Sequence, residues 1–130
     1  MITHDFNDGN GPVPAHQHAN GGGWVADTVV IDNTAYVGPD AKVFGNAWVC
    51  NDAWVYDSAR VFGQAFIDDE AQIFGQAQVG GDARVHSSAR VYGSATLSGS
   101  VVVGGRVWVH GTANLTEGTF ESDPSVIRLR

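Results

Sequence analysis

Residues 41–58 read AKVFGNAWVCNDAWVYDS, which is three copies of a six-residue unit placed end to end. Each copy begins with alanine and carries valine at its third place. Outward from this stretch, Val, Ile or Leu recurs at every sixth residue from Val25 to Leu115, sixteen times without an insertion or deletion. Except before Val25, a small apolar residue stands two places ahead of each of these aliphatic residues. It is Ala at twelve positions and Val at the other three. A fixed period of this kind indicates a stacked repeat architecture.

The alternation within each unit predicts strands. Apolar and variable places alternate over four residues, which is the period of a β-strand, and two turn residues such as Gly45 and Asn46 follow. An α-helix is excluded because an apolar pair at i and i+2, repeated every six residues, spreads around the helical wheel. A strand of four residues is not stable alone, so the units must stack edge to edge and share one core.

The period divides the chain into three parts. Residues 1–22 are rich in Gly, Asn and Pro and are predicted to form an irregular N-terminal cap. Residues 23–116 form the repeat array. Residues 117–130 lose the period and are predicted to be a C-terminal tail, of which residues 126–130 are the segment able to fold back over the last coil.

The unit [Leu/Ile/Val]-x-x-x-[Ala/Val]-x resembles the hexapeptide repeat of left-handed parallel β-helices. That resemblance implies an all-β fold, a single-stranded left-handed parallel β-helix of about five triangular coils. Three units then make one coil, and eighteen residues return the chain to the same face. Glycine stands mostly one position later than is common in that superfamily, as in Gly63 and Gly93. This V-x-G-x-A variant resembles uncharacterised hexapeptide-repeat proteins of bacteria and phages.

Composition sets bounds on partners and location. The chain has 130 residues and a formal charge of -7, which argues against direct binding of nucleic acid or of an anionic membrane and permits a basic partner. Cys50 is the single cysteine, so an intrachain disulfide is excluded and a reducing compartment is favoured. The N-terminus has neither a basic nor an apolar signal region, and a cytoplasmic location is therefore predicted.

The eighteen-residue repeat sorts the outward residues into three faces. The first carries Trp24 and Phe44, and the second carries Trp48 and Phe66. The third face is aromatic in every coil, with Tyr36, Trp54, Tyr56, Phe74, Tyr92 and Trp108. One interpretation is cross-strand stacking that stabilises the sheet; the other is an interface, because contiguous apolar patches mark interfaces on soluble proteins. Since related β-helices pack side by side, the resemblance implies a homotrimer or dimer first and a different protein second.

Acidic residues cluster at the corner between the second and third faces. This acidic corner consists of Asp32, Asp52, Asp68, Asp69 and Glu70. It is either a solvated edge or a recognition surface for a basic protein, for which Trp54 and Tyr56 would supply neighbouring anchors. A weak cation site is a third interpretation, although the turns match no calcium motif.

Histidines are the candidates for enzyme chemistry. The resemblance implies an acyltransferase-like alternative, in which His86 or His110 would act as a general base between subunits. The array lacks the inserted loop that such enzymes carry, so ordinary surface histidines are the other interpretation. A relative of the γ-class carbonic anhydrases would need three histidine ligands; His16 and His18 are the candidates for two, and no third is evident.

These patterns favour a non-catalytic binding or scaffold protein without a cofactor. It would associate with itself through the third face and engage a protein partner with a basic surface. A phage-encoded acidic inhibitor of a host defence protein is one form of this hypothesis, because small acidic proteins can occupy basic nucleic-acid channels. The alternative is the enzyme with a site between subunits.

Overall fold

Short strands recur at the six-residue period of the sequence. A computed structural model describes residues 2–121 and the backbone of residues 126–129, and every regular element there is a β-strand. The strands are β1 (Thr3–Asp5), β2 (Pro12–Gln17), β3 (Trp24–Ala26), β4 (Val30–Ile31), β5 (Tyr36–Val37), β6 (Lys42–Val43), β7 (Trp48–Val49), β8 (Trp54–Val55), β9 (Arg60–Val61), β10 (Phe66–Ile67), β11 (Gln72–Ile73), β12 (Gln78–Val79), β13 (Arg84–Val85), β14 (Arg90–Val91), β15 (Thr96–Leu97), β16 (Val102–Val103), β17 (Trp108–Gly111), β18 (Asn114–Leu115), β19 (Thr119–Phe120) and β20 (Val126–Leu129).

The strands form three sheets that correspond to the three predicted faces. Their orders are β1-β2-β3-β6-β9-β12-β15-β18 for the first face, β4-β7-β10-β13-β16-β19 for the second and β5-β8-β11-β14-β17-β20 for the third. From β3 onward the neighbours are parallel, and Phe66 lies between Trp48 and Arg84, each eighteen residues away. The prediction of an all-β fold, a parallel β-helix of about five coils, is confirmed.

The core is a stack of aliphatic and alanine rungs. From Ala35 to Val109, each aliphatic residue of the period and each small residue two places before it is fully buried, with 0 % exposure. The next residue along the strand faces outward, because successive strand side chains point to opposite sides. Each coil therefore buries its apolar residues only by stacking on the coils above and below it.

The corners explain the position of glycine in the unit. Gly63 has a φ of +64°, and a Cβ there would lie 2.8 Å from the amide nitrogen of Gly81 in the next coil. Both the left-handed backbone and the close approach favour glycine. Asn51, Asp57 and Ser87 take the same conformation at other corners, with φ between 55° and 57°.

The N-terminal segment is more regular than predicted. Strands β1 and β2 form an antiparallel hairpin, and β2 pairs antiparallel with β3. Asn7, Gly9 and Gly11 have positive φ in the connection, which lets the chain reverse. The expected irregular cap is thus a hairpin that extends the first sheet, because the edge of β3 offers unpaired backbone groups.

The C-terminal segment also differs from its prediction. It continues the helical course, since β19 pairs parallel with β16 and β20 pairs parallel with β17. Phe120 lies beside Val103, seventeen rather than eighteen residues along, and packs partly buried against the core. The tail therefore adds one strand to each of two sheets, because the last coil leaves strand edges unpaired. Within this tail, residues 122–125 and Arg130 lie outside the described residues, as does Met1 of the cap.

Candidate binding surface

The third face consists of two columns of side chains that run along the helix axis. Strand pairing aligns Tyr36, Trp54, Gln72, Arg90 and Trp108 in one column. The second column follows each buried rung and holds Gly38, Tyr56, Phe74, Tyr92 and His110. The six predicted aromatic residues are therefore brought onto one face, but they divide between two columns with different surroundings.

The second column is a continuous stack of rings, here called the aromatic ladder (Tyr56, Phe74, Tyr92 and His110). Successive ring centroids lie 4.9, 4.8 and 4.9 Å apart, with interplanar angles of 6°, 4° and 6°. This spacing equals the separation of paired strands, so each coil places its ring directly on the ring of the next. All four side chains are half-buried. The ladder thus has the geometry of cross-strand stacking.

The strand column leaves its tryptophans exposed. Trp54 is 46 % exposed and Trp108 is 39 % exposed. Trp48, on the second face, is 47 % exposed and stacks on Phe66 at 5.8 Å. Large exposed aromatic side chains on adjacent faces are the surface chemistry of an interface. Of the six predicted interface residues, Trp54 and Trp108 retain most surface for a partner.

The acidic corner contains two kinds of carboxylate. Asp32 accepts a hydrogen bond from the Asn51 amide at 2.7 Å, and Asp69 accepts one from the Ser87 amide at 3.0 Å. Asp68 accepts hydrogen bonds from the Asn51 side chain and the Asp69 amide, both in corner turns. These three residues stabilise the corner itself. The spacing of the carboxylates does not reveal this role, because it follows from where the turn amides point.

Asp52 and Glu70 are the outward members of the corner. Both are exposed, and neither carboxylate forms a hydrogen bond or ion pair with residues 2–121. They line a groove of about 350 Å³ together with Trp54, Gln72, Ser88 and Arg90. The Arg90 guanidinium lies 5.2 Å from the centre of the Trp108 ring. The groove therefore offers two carboxylates beside an exposed indole ring.

A second depression lies on the other side of Trp54. Its volume is about 230 Å³, and it is lined by Tyr36, Gly38, Asp40, Trp54, Tyr56 and Asp57 with a proline. Burial first, and then the Asp57 carboxylate, raise the pKa of Tyr56, whereas Arg90 opposes the shift. The neutral phenol donates a hydrogen bond to Gln72 Oε1 at 3.2 Å.

Both candidate bases are engaged in the fold. His86 Nε2 lies 2.6 Å from Glu121 Oε2, and its Nδ1 lies 3.0 Å from Ser87 Oγ. The His86 ring lies over the backbone of Gly104. A Cβ built on Gly104 would lie only 2.4 Å from the Cε1 and Nε2 atoms of that ring. His110 is the terminal ring of the aromatic ladder. Neither histidine lines the two depressions beside Trp54.

The two N-terminal histidines have different partners. His16 Nδ1 lies 2.8 Å from Asp27 Oδ1, at the surface. His18 is buried, and its Nε2 donates a hydrogen bond to the Ala35 carbonyl at 2.8 Å. Within the described part of the chain, no three His, Cys, Asp or Glu side chains come together as metal ligands.

Cys50 lies at the acidic corner and is half-buried. Burial first, and then the carboxylates of Asp32 and Asp68, raise the pKa of its thiol. A thiol with a raised pKa is a poor nucleophile, because the thiolate is the reactive species. This chemistry agrees with a structural cysteine.

The hairpin contributes residues that sequence reasoning missed. The Phe6 ring stacks on Phe44 at 4.9 Å, and Phe44 stacks on Phe62 at 5.4 Å. The Arg60 side chain donates a hydrogen bond to the Phe6 carbonyl at 2.6 Å. Ala26 is the residue equivalent to Phe44 in the preceding coil, and it has no ring to stack on Phe44. Phe6 supplies that ring from the hairpin. An isolated Phe outside the period gave no signal for this contact; the only hint was the missing aromatic residue in the first coil.

No protein-family model, curated protein or solved structure matches this chain. The architecture therefore rests on the strand pairing itself, and membership of the hexapeptide-repeat superfamily stays a prediction. In residues 2–121 and 126–129, no helix is long and apolar enough to cross a membrane.

Proposed function

We propose that this protein is a non-catalytic binding module of the hexapeptide-repeat type that engages a basic surface of another protein. The observation that carries the proposal is the exposed Trp54 ring, which lies between two depressions lined by carboxylates. Aromatic anchors beside unpaired charge are a common composition of protein-binding sites. Neither His86 nor His110 lines the depressions beside Trp54, which supports a binding function there over an enzyme site.

Asp52 and Glu70 supply the charge in this proposal. Asp32, Asp68 and Asp69 are already used by the corner turns, so a partner would meet chiefly the two outward carboxylates. A net charge of -7 adds a long-range attraction for a basic protein. The interaction is therefore expected to weaken as salt concentration rises.

Neutralising these two carboxylates should weaken binding of a basic probe. We expect the double variant Asp52→Asn, Glu70→Gln to bind a hexalysine peptide about fivefold less tightly at low salt, because two exposed charge contacts are lost. The measurement is isothermal titration calorimetry in 20 mM and 200 mM salt, where about tenfold more salt screens the contacts. The matched control is Asp82→Asn, Glu117→Gln, which removes the same charge from exposed positions elsewhere. Equal affinities for the two double variants would contradict the proposed site.

Self-association is the second part of the proposal, and Trp108 favours it. This residue is 39 % exposed toward the C-terminal end of the third face and lines neither depression beside Trp54. We expect light scattering to show a parent that is larger than its 13.7 kDa chain and a Trp108→Ala variant shifted toward the monomer. Trp48→Ala is the control, because its indole is exposed on the second face. A parent of monomer mass, or an unchanged Trp108→Ala assembly, would disprove this part.

A further inference from the structure

The aromatic ladder has a vacant position at its N-terminal end. The column that holds Tyr56, Phe74, Tyr92 and His110 begins at Gly38, which has no ring. A Cβ built on Gly38 would lie 3.1 Å from the Tyr56 Cβ, closer than side chains normally approach. Tyr56 stacks on Phe74 on one side and stands at 82° to Trp54. On the Gly38 side no described ring stacks on it, and the nearest ring atom to the position is Tyr36 Cε2, 3.5 Å from the same Cβ.

This position opens into a half-open depression in the third face. It is the site of about 230 Å³ beside Trp54. Tyr36 and Trp54 have centroids 5.0 Å apart, and the rings of Trp54 and Tyr56 stand at 82° to each other. Three aromatic rings thus bound a space whose floor is the backbone of Gly38.

Two carboxylates line the same space. Asp40 is exposed and forms no hydrogen bond or ion pair with residues 2–121. Asp57 uses Oδ2 to accept a hydrogen bond from the Gly75 amide at 3.1 Å, and no hydrogen bond to its Oδ1 occurs in that part of the chain. Aromatic faces together with carboxylates attract an organic cation, through the ring quadrupoles and through charge.

Three arginine side chains of the protein lie over its own aromatic rings. The guanidinium groups of Arg60, Arg84 and Arg90 lie 5.0, 5.0 and 5.2 Å from the centres of Phe44, Phe66 and Trp108. None of these three guanidinium groups lies over the ring of Tyr36, Trp54 or Tyr56. A guanidinium is planar and delocalised, so it can stack on Tyr56 as the next ring of the ladder would, whereas an ammonium is a compact point charge.

We infer that the depression formed by Tyr36, Trp54 and Tyr56 over Gly38 binds the guanidinium of an arginine presented by the partner protein. Tyr56 provides the stacking face, Trp54 forms the side wall, and Asp40 and Asp57 accept hydrogen bonds from the guanidinium edge. The inference rests on the proposed function, because it names the side chain by which a basic partner is recognised.

The test uses three short peptides and nuclear magnetic resonance of the ¹⁵N-labelled protein. The probes are acetyl-Gly-Arg-Gly-amide and its counterparts with lysine or glutamine in the central position. We expect the arginine peptide to give saturable shifts of the Gly38 amide and the Trp54 indole N–H. Its affinity should exceed that of the lysine peptide about fivefold, and the glutamine peptide should not bind, since only a planar cation satisfies both rings and carboxylates.

Variants locate the binding to this depression. Trp54→Ala should weaken the arginine peptide about tenfold, which corresponds to the loss of one cation–π wall. Trp48→Ala is the matched control and should bind as the parent does, because its indole has the same exposure on another face. Asp40→Asn, compared with Asp82→Asn, should weaken binding about threefold through the lost charge. Thermal melts of all four variants establish that they remain folded.

Three results would overturn the inference. They are the absence of a saturable shift at Gly38 and Trp54, equal affinity for the arginine and lysine peptides, and equal losses in Trp54→Ala and Trp48→Ala. None of these decides the proposed function. Hexalysine binding that depends on Asp52 and Glu70 would still support a basic partner if the arginine peptide failed. The converse result is binding of the arginine peptide at the depression together with hexalysine binding that does not depend on Asp52 and Glu70. That result would support the depression as a binding site and would remove the acidic corner from the proposal.

Discussion

Replacing Ile73 by aspartate is expected to unfold the β-helix or bring it to the edge of unfolding. Ile73 has 0 % exposure, and its strand pairs with those of Val55 and Val91. The substitution removes buried methyl groups and puts a carboxylate among aliphatic rungs that offer it no hydrogen-bond donor. We expect a loss of at least about 4 kcal/mol in the free energy of unfolding, which is a large part of the stability of a domain this size.

Two companion variants show whether the direction of residue 73 causes the loss. Gln78→Asp adds the same charge at an exposed strand position and should change the stability by less than about 0.5 kcal/mol. Ile73→Val removes only one methylene and should cost about 1 kcal/mol. Chemical denaturation monitored by circular dichroism measures all three. An Ile73→Asp protein as stable as the parent would mean that residue 73 does not point into the core.

Truncating Phe6 to alanine is expected to detach the N-terminal hairpin. The Phe6 side chain is 1 % exposed and stacks on Phe44, and its carbonyl accepts the hydrogen bond of Arg60. A buried Phe→Ala replacement costs about 3 to 5 kcal/mol when the cavity cannot collapse. Here the hairpin lies at the end of the first sheet, so we expect it to open locally before the coils unfold.

Hydrogen exchange distinguishes local opening from global unfolding. In the Phe6→Ala protein, the amides of β1 and β2 should exchange at least about a hundredfold faster, since about 2.7 kcal/mol of local stability corresponds to that factor. The amides of the central coils, such as those of Val61 and Ile73, should be slowed as in the parent. Ile2→Ala is the control, because Ile2 is exposed. Unchanged exchange in β1 and β2 would show that Phe6 does not hold the hairpin.

Two neighbouring residues fit this account of the hairpin. The His4 ring stacks on Trp24 at 4.5 Å and meets Phe6 edge-on at 4.7 Å. Burial first, and then the nearby Lys42, lower the pKa of His4, which favours a neutral ring in this stack. The hairpin thus adds His4 and Phe6 to the first face as two further rings.

The regular part of the fold was predictable because each unit repeats the same physical requirement. An inward side chain in one coil must meet an inward side chain in the next, so a rung such as Val61 or Ile67 can be assigned by counting. The same count placed Trp54 and Trp108 on one face. It could not separate the half-buried ladder at Tyr92 from the exposed column at Trp108, because both are outward positions of the same unit.

The acidic corner shows the same limit. The sequence placed five carboxylates at one corner, but hydrogen bonds to turn amides distinguish Asp32 and Asp69 from Asp52 and Glu70. Those hydrogen bonds depend on the left-handed backbone of the corner residues and on the position of the turn amides in the next coil. The six-residue spacing specifies neither of these. The hairpin and the continued C-terminal course were missed for a related reason, because strand edges recruit segments that lack the period.

The sequence by itself determined the coil, its core and the face of the β-helix on which each outward residue lies, because every unit repeats the same six-residue pattern. The tertiary structure alone decided which outward residues remain free for a partner. That distinction comes from contacts between successive coils and with the chain ends, as when Tyr56 stacks on Phe74 and Phe6 covers Phe44. The exposed fraction of an outward side chain depends on the side chains stacked above and below it, and the spacing within a single unit does not predict it.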